Sequence, residues 1–344
     1  MSIDWFFIIE KMALISGVLA LSLGVAMYST WGERKVAAII QDRRGPNRAG
    51  FMGLLQPLAD GGKLFFKEEI IPTLSHRFLF ILGPSLAMLV ACMTSAVIPW
   101  GDTLTIGGRQ VSLQIADINI GILYIFGVVS LGVYGIMLGG WASNNKYSLL
   151  ASIRAASQII SYELAMGLSL IALLMLTGSL SLKDIVEQQR HSYWNVVYQP
   201  LGFIIFLICA FAECNRTPFD LPEAENELNG GYHLEYSSMK LGFYLFAEYI
   251  NMFISSALMA SMYFGGYSFP FMDSLGLDAN LITILGFVAL FIKIICFLFL
   301  FMWVRWTIPR FRYDQLMRLG WNIMIPIAIV NMLLTGAWIL YKQG

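Results

Sequence analysis

The chain has 344 residues, of which 58% are hydrophobic and only 13% charged, whereas soluble domains carry about 25% charged residues. That composition describes an integral membrane protein, and a formal net charge of zero argues against a nucleic-acid binder. Four scattered cysteines (Cys92, Cys209, Cys214, Cys296) without a C-x-x-C pair, and three scattered histidines (His76, His191, His233), argue against an iron–sulfur, zinc or other metal centre built by this chain alone.

The first apolar run, roughly 5–31, is long enough to span a bilayer and lacks a short apolar region followed by a small-residue cleavage site, so it reads as a transmembrane helix rather than a signal peptide. Seven more spans follow at roughly 78–100, 120–141, 156–178, 198–214, 241–265, 281–304 and 322–341, the fifth being the shortest. Near-continuous Leu, Ile, Phe and Met runs predict helices rather than barrel strands. The expected fold is an all-α integral membrane protein, a single membrane domain over 1–344 with about eight transmembrane helices. No internal repeat is visible, which weighs against an inverted-repeat transporter.

Lysine and arginine set the expected orientation. Eight of them lie between Arg34 and Arg77, and others (among them Lys146, Arg154, Arg216, Lys240, Arg305, Arg310, Arg312 and Arg318) fall in the later connections on the same side. The opposite side holds Lys11, Arg109, Lys183, Arg190 and Lys342. The positive-inside rule then places the odd-numbered connections in the cytoplasm or a mitochondrial matrix and both termini outside. The outer connections read as short and turn-like, as in 101–108. Three inner segments stand out: 32–77, 212–240 and 305–321.

The first inner segment reads Glu33-Arg-Lys-Val-Ala-Ala-Ile-Ile-Gln-Asp-Arg-Arg-Gly-Pro-Asn-Arg48. Its cations fit anchoring to anionic lipid, or, in the turn around Arg43 and Arg44, fixed carboxylate partners. Residues 50–69 alternate Leu54, Leu55, Leu58, Phe65 and Phe66 with Gln56, Asp60, Lys63 and Lys67, predicting an interfacial amphipathic helix. Asp60, Lys63 and Lys67 would share one polar stripe, read either as a solvated face or as a site.

Charges inside the spans are few: Glu163, Glu213, Glu248 and Lys293. Each costs on the order of 3 kcal/mol at bilayer depth and should face the bundle, paired or neutral. Lys293 is expected to serve as counter-ion to one of the glutamates. One lysine does not neutralise three carboxylates, so at least one carboxyl is expected to exchange protons near neutrality, which favours a proton route. Downstream of Glu213 come Asp220, Glu223, Glu225 and Glu227, in a loop shaped by Pro218, Pro222 and Gly230-Gly231.

Two long stretches carry a family resemblance: Gly53-Leu-Leu-Gln-Pro-Leu-Ala-Asp-Gly-Gly-Lys-Leu-Phe-Phe-Lys-Glu68 and Pro218-Phe-Asp-Leu-Pro-Glu-Ala-Glu-Asn-Glu-Leu-Asn-Gly-Gly231. Glu33-Arg-Lys, Asp42-Arg-Arg-Gly-Pro-Asn, Ser161-Tyr-Glu, Glu235-Tyr-Ser-Ser-Met-Lys and Arg310-Phe-Arg-Tyr-Asp-Gln-Leu-Met-Arg add to it. Over essentially its whole length the chain resembles the quinone-site membrane subunit of proton-pumping NADH:quinone oxidoreductase, respiratory complex I. Gly62 departs from the family pattern, which usually has an aliphatic or other small residue there.

The resemblance implies a subunit that anchors a hydrophilic electron-transfer arm and forms an access cavity for ubiquinone or menaquinone. It implies a proton route through Glu163, Glu213, Glu223, Glu225, Glu227 and Glu248, with Asp220 as a further candidate, and a quinone cavity lined by Arg34, Lys35, Asp60, Lys63 and Phe219. The implied partners are hydrophilic quinone-site subunits and antiporter-like membrane subunits in a bacterial or mitochondrial inner membrane. No cofactor is expected to be bound covalently, and FMN and iron–sulfur clusters would belong to partner subunits. A related subunit of a membrane-bound hydrogenase, a stand-alone cation or proton transporter, and a purely structural anchor are the competing readings.

Overall fold

Backbone amides have no partner in hydrocarbon except one another, so long apolar runs close into helices. The computed structural model describes residues 5–221, 230–270, 272 and 276–343. The opening helix α1 (Trp5–Ile40) is followed by α2 (Gln56–Phe66), α3 (Arg77–Thr94) and a two-stranded hairpin, β1 (Thr103–Ile106) and β2 (Arg109–Ser112). Next come α4 (Gly121–Ala142), α5 (Lys146–Thr177), α6 (Leu182–Arg190), α7 (Asn195–Tyr198) and α8 (Pro200–Glu213). The chain ends with α9 (Ser238–Tyr263), α10 (Ala279–Thr307), α11 (Tyr313–Arg318) and, after a π-helical turn, α12 (Ile325–Gln343).

By length and composition, seven helices among the described residues can cross a membrane: α1, α3, α4, α5, α9, α10 and the continuous α11–α12 unit. The expected fifth span differs. Its helix α8 begins only at Pro200, which fits a first helical turn, and closes at Glu213 after 14 residues. At 1.5 Å per residue that is about 21 Å, short of the ~30 Å of hydrocarbon. Other helices exceed the expected spans because polar turns continue them beyond the apolar stretch. Thus α5 starts at Lys146, where the Asn145 side chain accepts a hydrogen bond from the Tyr147 amide.

The connection after α3, read as a plain turn, is instead part of the hairpin. It pairs Thr103 with Ser112 through Ile106 with Arg109, and turns on Gly107-Gly108 at φ 58° and 81°. Two consecutive positive φ angles are what a two-residue hairpin turn of matching twist demands.

Around α9 the bundle assembles by close helix contact: α3 packs on α4 and α9, α5 on α4, α8 and α12, and α9 also on α1 and α10. Small residues make the α3–α4 seam. A Cβ on Gly139 would stand 1.9 Å from the Tyr244 hydroxyl, and one on Gly135 would stand 2.9 Å from the Ala87 amide. Tyr244 uses that gap to donate to the Gly135 carbonyl (3.0 Å), while Tyr236 donates to that of Gly139 (3.2 Å). Burial pushes the Tyr236 phenol up to about 12, so it keeps its proton and stays a donor.

Candidate functional site: a charged cavity beside buried carboxylates

Neighbouring residues of a helix point about 100° apart, and at the arginine-rich end of α1 this separates two charges. Arg34 turns outward to Asp60 of α2, Nη1 to Oδ2 at 2.8 Å. Glu33 turns inward and is 6% exposed. It accepts from the Tyr249 hydroxyl (2.7 Å), lies 3.5 Å from Arg216 Nη1 and forms an ion pair with Arg305. Arg216 also stacks on the Tyr249 ring at 4.1 Å.

These groups border a cavity of about 260 Å³ between α1, α2, α9 and α10. Its polar side holds Glu33, Arg34, Asp60 and Arg305, and its apolar side holds Met27, Leu64 and Phe246. Such a slot suits a molecule with a polar head and an apolar tail.

The amphipathic helix α2 borders this cavity through Pro57, Asp60, Gly61 and Leu64. Its carbonyl at Leu64 accepts from Ser238, and Lys240 of α9 pairs with Glu69 just beyond its end. Of the expected lining, Arg34 and Asp60 meet at the cavity. Lys35 lies 5.7 Å from the centre of the Trp31 ring and Lys63 is exposed; neither is on the cavity wall among the described residues. Phe219 is buried elsewhere, 5.2 Å from Tyr162 and 5.6 Å from Phe311 between ring centroids. Asp220 is paired with Arg310 at 2.8 Å.

Deeper in the bundle the three intramembrane glutamates come together. Glu213 ends α8 and lines two small internal cavities of about 30 and 40 Å³, with Asn251 on the wall of both. Each exceeds the ~10–15 Å³ that a water molecule needs. Glu248 lines the second and accepts from the Tyr232 hydroxyl at 3.0 Å. Glu163, on α5, accepts a hydrogen bond from Ser130 of α4 and lies within electrostatic reach of Glu213. Glu223, Glu225 and Glu227 lie outside the described residues.

Gln158 ties the segment after Glu213 in place, its Nε2 donating to the carbonyls of Ala212 and Phe219 at 2.8 Å each. Only Cys214 and Asn215 separate Glu213 from Arg216, so one short stretch touches both the carboxylate group and the Glu33 cluster. Among the described residues no group of three or more His, Cys, Asp or Glu could hold a metal ion.

Lys293 overturns the expectation of a counter-ion. Its ammonium donates to the carbonyls of Phe264 (2.7 Å), Gly266 (2.7 Å) and Ser268 (2.6 Å), in the loop that follows α9. Three carbonyl acceptors match the three ammonium donors, so the charge is satisfied by backbone dipoles away from the glutamates.

Glu33, Tyr249 and Arg305 are the residues that the sequence reading missed. Glu33 was visible only as the minority charge of a basic loop, and nothing in sequence spacing links residues so far apart.

A model of the family described as NADH dehydrogenase matches residues 12–336, a range that includes both the cavity and the carboxylates. The chain belongs to the NADH dehydrogenase family. It is 68% identical over 334 residues to an H-type NADH-quinone oxidoreductase subunit of Cytophaga hutchinsonii, covering 97% of this chain and 98% of the relative. It is 66% identical over 339 residues to the H-type NADH-quinone oxidoreductase subunit of Flavobacterium psychrophilum, with 98% and 99% covered. The corresponding subunit of Flavobacterium johnsoniae is 64% identical over 338 residues, with 97% and 96% covered. These family members are named as subunits of an oxidoreductase complex, and this chain shares with them nearly its whole length.

Proposed function

We propose that this chain is the H-type membrane subunit of a proton-translocating NADH:quinone oxidoreductase. It admits quinone through the cavity between α1, α2, α9 and α10 and couples quinone reduction to proton movement through its buried carboxylates. The observation that carries the reading is the adjacency of two arrangements. One is an amphipathic slot rimmed by Arg34 and Asp60; the other is Glu213 and Glu248 on the walls of water-sized cavities, with Glu163 within electrostatic reach of Glu213. Arg216 and the segment before it join them.

Reducing a quinone draws electrons and protons to its head group. A negative charge developing beside the slot acts on the Glu33–Arg216–Arg305 cluster, since charges in a low-dielectric site are poorly screened. Rearrangement there reaches Glu213 through Cys214 and Asn215, and proton exchange with Glu163 and Glu248 continues through the cavities toward antiporter-like neighbours. Glu223, Glu225 and Glu227 are assigned to the proton supply on this route. Electrons arrive from partner subunits that hold FMN and iron–sulfur clusters, with the arginine-rich loops on the cytoplasmic side as their docking face.

The test is NADH oxidation in membranes with assembly of the complex monitored. Glu163→Gln and Glu213→Gln should each depress inhibitor-sensitive quinone reduction and proton uptake while NADH oxidation by an artificial acceptor persists. Coupled activity surviving both changes overturns the route, and failure of the tagged chain to co-purify with an NADH-oxidising assembly overturns the assignment.

A further inference from the structure

At the end of the bundle opposite the arginine-rich loops, a cavity of about 520 Å³ lies between the last turns of α5 and α12 and the short helices α6 and α7. The volume falls within the range of small-molecule sites, roughly 300–1,000 Å³. Met175, Leu176 and Ile339 form an apolar wall, and Met175 is continuous with the exposed apolar surface at Ile171 on α5. Tyr198 and Trp338 stand at the mouth, 50% and 61% exposed, as amphipathic rings do at a membrane boundary.

The charge of the cavity is one-sided. His191 and Lys342 line it, and among the described residues no Asp or Glu does. The acids of α6 are engaged elsewhere: Asp184 accepts from Ser179 at 2.7 Å, and Glu187 lies 3.9 Å from Lys183. The neutral polar groups are largely held by backbone, with Gln188 donating to the Thr177 carbonyl and Asn195 to that of Met262, both at 2.9 Å. A water-filled hollow would need the polar wall alone. The apolar wall opening onto the lipid-facing surface, joined to a cation and two boundary aromatics, matches a phospholipid with net negative charge.

We propose that this cavity binds an anionic phospholipid by its phosphate, with Lys342 as the charge contact, His191 as a hydrogen-bond donor and the Met175–Ile339 wall against the upper acyl chain. The site stands apart from the quinone reading and does not depend on it.

The test uses the full chain purified from membranes with its bound partners. It is incubated with phosphatidylglycerol or phosphatidylcholine carrying a photo-crosslinker near the headgroup, and adducts are mapped by peptide mass spectrometry. The phosphatidylglycerol probe should label the peptides containing His191, Tyr198 and Trp338 about fivefold more than the phosphatidylcholine probe. Lys342→Gln should remove that preference, and Lys342→Arg should keep it. Equal labelling by the two probes on the native chain overturns the proposal, a comparison that needs no variant. Loss of labelling with excess inorganic phosphate assigns the site to free phosphate and overturns the lipid assignment.

Discussion

Arg34 and Asp60 bridge α1 and α2 at 2.8 Å, with side chains 50% and 37% exposed. A pair so open to solvent contributes at most about 1 kcal/mol to stability. Its place on the cavity rim therefore matters more than its strength. Arg34→Gln and Asp60→Asn should each shift thermal unfolding in detergent by no more than about 1 kcal/mol. Steady-state assays should show the KM for a short-chain quinone rising with kcat little changed. A large drop in stability with an unchanged KM would reverse that reading.

Glu33 presents the opposite case. It is buried, and both Arg216 and Arg305 address it. Removing one partner from a buried charge network costs about 3–5 kcal/mol because the remaining charges lose their shared counter-ion. Glu33→Ala should lower unfolding stability by that order. Glu33→Gln should be milder, since its amide oxygen still accepts from Tyr249. Equal melting temperatures for the native chain and Glu33→Ala would show the cluster to be better solvated than its burial implies.

At the α3–α4 seam, Gly139→Ala would set a methyl 1.9 Å from the Tyr244 hydroxyl and 3.1 Å from its Cζ. Overpacking of this kind costs about 1–3 kcal/mol. Removing only the hydroxyl should relieve part of the strain, so Gly139→Ala with Tyr244→Phe should unfold at a higher temperature than Gly139→Ala alone. A double variant no better than the single one would place the clash elsewhere.

Lys293→Met separates a loop clamp from a counter-ion. Three carbonyls lose a charged donor, and hydrogen bonds to charged groups contribute about 1.5–3 kcal/mol each, so the loop after α9 should loosen and unfolding should come earlier. Proton uptake per electron in reconstituted vesicles should stay at the native ratio. A changed ratio with unchanged stability would restore the counter-ion role.

Helices were the most legible part of the sequence because hydrocarbon permits few other backbone states, and apolar length reads directly as a span. The amphipathic α2 was equally plain, since Leu58 and Asp60 already mark its two faces. Pairings were not legible. Lys293 and the glutamates looked like natural partners by charge balance, yet a loop at 264–268 supplies carbonyls that no composition count records. Phe219 lies in one of the two stretches that carry the family resemblance, yet it packs between Tyr162 and Phe311, away from the slot. Glu33 was hidden for a related reason: beside Arg34 and Lys35 it reads as a surface acid, and only the approach of Arg216 and Arg305 from distant segments makes it a buried hub.

The brevity of α8 turns helix length into a depth gauge. Each added residue would advance Glu213 by 1.5 Å, and a full extra turn by about 5 Å, enough to draw the carboxyl away from both small cavities. Insertions of one to four alanines before Phe203 would thus dial the position of a single acid along the axis of α8, with each step also rotating it by about 100°. Where Glu213 stops is set by where a helix is cut short, a quantity that evolution can change one residue at a time.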